Sequence, residues 1–225
     1  MPKIFGIEHI IYFTIVVTIM IISIIFIKKY LKDNAEKQSL LIKLIAFLLL
    51  IAIIYNRVSI AVGHQDYRTL LPDSFCGTSS LVLALSTIYF KKNNDILHCV
   101  AYLGLVGGTI TLIYPDFIGQ ADSIFHSMTI SGLLHHTIMV FLVIVMLITG
   151  YLQPSLKKWK ILPIGLSFYM IYGLILITVI GLDDAMYIFN PALSGTIFNW
   201  FGLGLIFIPI HLLFLFVWDK ICKRQ

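Results

Sequence analysis

Apolar residues run almost unbroken over seven stretches, 9–27, 40–62, 75–90, 96–114, 126–149, 161–181 and 197–218, and polar residues gather in the short connections between them. A helix needs roughly 20 such residues to cross a hydrocarbon core about 30 Å thick, and most of these stretches come near that length. The pattern predicts an all-α fold: a polytopic transmembrane helical bundle of about seven spans in one integral membrane domain, with a short third span. Pro115 closes the fourth stretch, Pro154 and Pro163 bracket the fifth connection, and Pro209 falls inside the last span, where it should kink the helix. Gly104, Gly107 and Gly108 give the fourth stretch a small face on which another helix can approach closely.

Charge orients the spans. Lys28, Lys29, Lys32, Lys37, Lys43, Lys91, Lys92, Lys157, Lys158, Lys160, Lys220, Lys223 and Arg224 all fall on the odd connections and the C-terminal tail. The opposite side keeps only Lys3, Arg57 and Arg68, together with most of the acids. Lys and Arg are retained in the cytoplasm, so the N-terminus is expected outside and the C-terminus inside, in the cell membrane. The first apolar run has its lysines behind it, with no small-residue cleavage site. It should therefore stay as an anchor rather than act as a signal peptide.

Composition agrees with this reading. The chain has 225 residues, 59% hydrophobic and only 12% charged, too few charges to cover a soluble domain of that length. The net charge of +5 lies in clusters between apolar runs, which fits a topology signal and not a nucleic-acid surface. Cys76, Cys99 and Cys222 have no metal-ligand spacing, and a disulfide framework is not expected.

Hydrocarbon cannot solvate polar side chains, so those inside the spans carry the information. Arg57, beside Asn56, stands near the outer end of the second span; it can snorkel outward as an anchor or face an anion. His126 begins the fifth span, and the pair His135–His136 lies roughly 14 Å further along its axis. Adjacent helical residues point about 100° apart, so two histidines together call for a surrounding of protein and a polar cavity. Cys76 opens the third span. A free Cys is usually a small buried hydrophobe; as a nucleophile it needs a base, most readily a His from another helix. Asp116, Asp183, Asp184, Asn190 and Asn199 add to an outer half far more polar than the inner half, which points to a cleft open to the outside.

Several segments together resemble a known family. The stretch from Leu71-Pro72 to Cys76 is similar to the LP-x-x-x-C segment of the bacterial YwaF-like integral membrane proteins. After it come Gly104-Leu105-Val106-Gly107-Gly108, Tyr114-Pro115-Asp116, the His135-His136 helix, Met186-Tyr187 with Pro191, and Phe198-Asn199-Trp200-Phe201-Gly202. The resemblance covers roughly residues 45–218 and extends to the eukaryotic transmembrane protein 164 family, described as transferring acyl groups between phospholipids through a Cys acyl-intermediate assisted by His. It implies Cys76 as nucleophile and His136 or His135 as base. Many relatives have His in place of Ser74 and an Asn-Tyr pair in place of Met186-Tyr187, which suggests altered substrate contacts.

Two functions are expected, the first implied by the resemblance and the second by the outer cleft alone. One is a Cys/His-dependent acyltransferase on membrane lipids, with Ser79, Ser80 or nearby backbone N–H groups as oxyanion donors and Arg57, Asn56, Asp116, His126, Tyr187 and Asn199 as substrate contacts. The other is a non-enzymatic binding or transport protein for a small solute or lipid headgroup. Membrane lipids are the expected partners, with no nucleic acid and no cofactor. A retinal protein would need a Lys in the last span, which has none. A bis-His haem site pairing His135 or His136 with His98 or His211 lacks any paired spacing. The sequence does not fix the oligomeric state.

Overall fold

The computed structural model describes residues 5–31, 34–115 and 123–221. The described residues are helical throughout their regular parts: α1 (Ile7–Tyr30), α2 (Ala35–His64), α3 (Phe75–Tyr89), α4 (Asp95–Ile113), α5 (Ser127–Ile148), α6 (Ile161–Ile175, continued by a π turn Leu176–Ile180) and α7 (Trp200–Ile221). These bounds follow the apolar runs to within a few residues, except at the start of α2. Among the described residues, six helices are long and apolar enough to cross a membrane; α3, with 15 residues, is the short one. Asp116, Asp122 and Cys222 lie outside the described residues.

Side-chain caps set where several helices begin. Asn34, Ser74 and Asn94 accept from the backbone N–H three residues on, at Lys37, Gly77 and Leu97, and His126 Nδ1 accepts from Met128 N. Each satisfies a donor that the first turn leaves without an intrahelical partner. Helices α2, α3, α4 and α5 pack on one another as the centre of the bundle, and α6 and α7 pair beside α4. Burial follows this order: 61% of the spanning window is buried in α4 and in α5, but only 11% in α1. In lipid, apolar contact alone gives helices little reason to associate, so close packing and interhelical hydrogen bonds carry the assembly. Tyr12 Oη lies 2.8 Å from Thr137 Oγ1, Ser79 Oγ 2.7 Å from Tyr169 Oη, and Asn56 Nδ2 donates to Ser131 Oγ at 3.1 Å. Gly104 and Gly108 face α5, where an added Cβ would press on Met139 and Val140. Helix α7 runs through Pro209, and nearby the Tyr102 hydroxyl donates to the Phe207 carbonyl at 3.2 Å.

Candidate functional site: a polar cavity within the bundle

The N-terminal end of α3, the facing turns of α2, α4, α5 and α7, and the 184–192 segment of the last loop enclose a cavity of about 460 Å³. That volume lies in the range of small-molecule sites. Cys76, His135, His136, Arg57, Asn56 and Tyr187 all line it, so six of the residues singled out by sequence meet there.

Cys76 is the second residue of α3, and the helix starts at Phe75 because Ser74 caps it. Its thiol is directed at α4: a Cβ built on Gly107 would lie 2.6 Å from Cys76 Sγ. Across the cavity, both histidines of α5 are buried, with ring centroids 4.0 Å apart. His136 Nδ1 lies 2.7 Å from the Gly132 carbonyl and His135 Nδ1 lies 3.1 Å from that of Ser131. A carbonyl can only accept, so each Nδ1 carries the proton and each Nε2 of the neutral ring keeps a lone pair. His135 Nε2 is fully enclosed and has no partner.

Arg57 does not reach outward. Its side chain is only 12% exposed; Nη1 donates to Asp73 Oδ1 at 3.0 Å and Nη2 to Asn56 Oδ1 at 3.2 Å, while Nε is enclosed without a partner. Asn56 is in turn held by Ser131, so one polar chain runs from Asp73 through α2 to α5 just above the histidines. Over it lies the last loop, where Met186 and Tyr187 both adopt left-handed backbone, φ 54° and 55°. This conformation is costly for a non-glycine residue, and Asn tolerates it best. The segment is tied down by Met186 N donating to the Asp73 carbonyl and Trp200 N to the Tyr187 carbonyl, both at 2.7 Å. Burial pushes the Tyr187 phenol up from its ordinary pKa.

Other expected contacts lie elsewhere. Ser79 and Ser80 are one turn below Cys76 and wholly buried; Ser79 is paired with Tyr169, and Ser80 donates to Met139 Sδ at 3.0 Å. Asn199 caps α7 through Gly202 N at 2.9 Å, and His126 caps α5; neither lines the cavity. Asp116 lies outside the described residues. His98 and His211 line a separate small hollow with Tyr102, away from His135 and His136. Among the described residues, no group of three or more His, Cys, Asp or Glu is placed to hold a metal ion. Sequence reasoning missed Thr111, on α4 one turn from Gly107 and also on the cavity wall. The i, i+4 spacing from a glycine already noted was the only available signal.

A TMEM164 family model matches residues 4–221, nearly the whole chain. The chain belongs to the TMEM164 family. It is thus a multi-pass membrane protein of that family, with its cavity among the apolar helices. No curated protein and no solved structure gives a significant match to this TMEM164-family chain.

Proposed function

We propose that this TMEM164-family protein is a Cys/His-dependent acyltransferase acting on phospholipids at the extracytoplasmic side of the cell membrane. The observation that carries the reading is the meeting of one thiol and two imidazoles, from α3 and α5, on the wall of a single cavity. His136 is assigned as the base and His135 as its neighbour, since His135 Nε2 is walled in. In the first half-reaction His136 Nε2 takes the thiol proton and the sulfur attacks a glycerol ester carbonyl. The tetrahedral intermediate expels the glycerol oxygen, which takes the proton back from the imidazolium and leaves as a lysophospholipid. The thioester is then attacked by the hydroxyl of a second lysophospholipid, whose proton returns through His136 to the sulfur.

The short helix supports a lipid substrate. At 1.5 Å per residue α3 spans about 22 Å, less than the hydrocarbon thickness of about 30 Å. Were Lys91 and Lys92 held at the inner surface just beyond its far end, a span this short would bring its N-terminal thiol towards the level of the lipid esters, which supports the reading.

The test is transfer of a labelled acyl chain from phosphatidylcholine to a lysophospholipid by the purified protein in nanodiscs, with intact-mass analysis. Wild type should transfer and carry a hydroxylamine-labile acyl adduct on Cys76; Cys76→Ala should do neither. Undiminished transfer by Cys76→Ala overturns the mechanism. No transfer by a folded wild type, across headgroups, leaves the cavity as a binding site for a lipid headgroup or small solute.

A further inference from the structure

Three of the lysines that carry the charge asymmetry also line a second cavity. At the end of α3 remote from Cys76, the first turns of α2, the last turn of α3 and the residues just after α5 surround a hollow of about 710 Å³. Lys43 stands on its wall from α2, and Lys91 and Lys92 from just beyond α3. None of these lysines is paired with a carboxylate among the described residues. Glu36 is the one acid on that wall and bonds to none of them, and Asp95, the next acid along the chain, is taken by Lys158 at 2.8 Å. A topology signal needs such charge only in the connection. It does not need a hollow, nor Lys43, which lies roughly 12 Å along α2 from its first residue. Like charges gathered around one concavity repel one another and raise the local concentration of anions. Ala35 and Glu36 bring the positive end of the α2 dipole to the same wall.

We propose that this cavity binds the phosphate group of an anionic phospholipid, with the three ammonium groups as its counter-charges. Phosphate matches the wall in chemistry as well as in sign. Its oxygens accept from lysine, and Ser39 adds a hydroxyl on the same wall. Membrane lipid is the favoured source, because basic pockets between spanning helices take anionic headgroups. Tyr89 and Phe90, also on the wall, are 76% and 53% exposed, as aromatic side chains at headgroup level are. Beyond Lys43, α2 continues with Leu44, Phe47 and Leu48, all about half exposed, on which acyl chains can lie. The site is separate from Cys76 and the histidines, and it stands whether or not they transfer acyl groups.

The experiment titrates the purified full-length protein with phosphatidylglycerol, phosphatidylcholine and inorganic phosphate, and reads the bound species by native mass spectrometry. Two triple variants are compared with wild type. Lys43→Gln, Lys91→Gln and Lys92→Gln together strip the cavity wall of its cations; Lys28→Gln, Lys157→Gln and Lys160→Gln together remove the same charge outside it. Wild type should bind one phosphatidylglycerol in preference to phosphatidylcholine. The cavity variant should lose about a hundredfold in affinity, about fivefold for each lysine, and the control should stay within about threefold. Melting curves identify any folding defect; where the cavity triple fails to fold, Lys43→Gln alone carries the test with its fivefold loss. Equal losses in the two triples, both folded, mean a diffuse attraction of surface charge and overturn the site. Equal binding of the two lipids by wild type overturns it as well. Inorganic phosphate that binds with the same lysine dependence, where phosphatidylglycerol does not, overturns the lipid and leaves a soluble phosphate as the ligand.

Discussion

Replacing Gly107 with Ala sets a methyl group directly against the Cys76 thiol. The added Cβ would lie 2.6 Å from Cys76 Sγ, whereas ordinary contact begins at 3.4 Å, so sulfur or helix must yield by at least about 0.8 Å. Cys76 has one side-chain torsion and sits in the first turn of α3, where Ser74 and Pro72 hold the backbone, so the sulfur takes most of the shift. A displacement near 1 Å in a reacting atom costs about 10²-fold in rate. Folding should suffer less. Overpacking costs about 1–3 kcal/mol, and Ala in place of Gly inside a helix returns about 0.5–1 kcal/mol. Gly104→Ala is the control: its Cβ would meet Met139 Sδ at 2.8 Å, but methionine is flexible and stands off the cavity wall. In the acyl-transfer assay, Gly107→Ala should lose about two orders of magnitude and Gly104→Ala about threefold or less, at similar melting temperatures. Equal losses from both variants, or full activity in Gly107→Ala, would refute the placement of the reacting sulfur against α4.

The Arg57–Asp73 pair should be asymmetric. Asp73, 41% exposed, can be rehydrated when Arg57→Gln removes its partner, so we expect a cost of about 1 kcal/mol; Asp73→Asn strands a largely buried cation and should cost about 3 kcal/mol. Melting curves in one detergent give the order, and a reversed order would contradict it. Tyr12→Phe removes the bond from α1 to Thr137 and should cost about 0.6–1.7 kcal/mol, seen as weaker retention of α1 after proteolytic cleavage of the first connection. Arg68 joins the Asp66 carboxylate to the Gly181 carbonyl, at 2.8 and 2.6 Å, and holds the Asp66 pKa below its ordinary value. A lowered folded-state pKa means that this link is fully present above about pH 4 and is lost as pH falls through the lower folded value. Hydrogen exchange in 66–71 should therefore rise only in acid; a loss of protection between pH 5 and 7 would count against it.

Most of the architecture was legible because a segment crossing lipid must satisfy its own backbone, and a long unbroken apolar run does so as a helix. That fixed the positions of the helices and made Arg57 and the His135–His136 pair conspicuous. What lay beyond reach was how faces meet. Ser79 and Ser80 share a helical face with Cys76, so they suggested oxyanion donors; a turn deeper, that face is occupied by Tyr169 and Met139. Asn199 looked like a contact because it is polar at an interface, yet it spends its side chain on capping α7. The glycines of α4 read as one small face, but Gly104 and Gly108 turn to α5 while Gly107 receives a thiol. No one-dimensional pattern separates neighbours that differ by 100° of rotation.

The sparse attachment of α1 bears on how the molecule comes together. It is secured to the rest mainly near its N-terminal end, by His9 Nε2 2.9 Å from the Leu112 carbonyl and by Tyr12 on Thr137, with most of its length exposed on the surface of the bundle. Such a segment can enter the bilayer as an independent unit and settle late, after the α2–α5 centre of the bundle has already assembled. Biogenesis would then proceed in two stages, with the amino-terminal hairpin partner the last piece to dock and the first to come away.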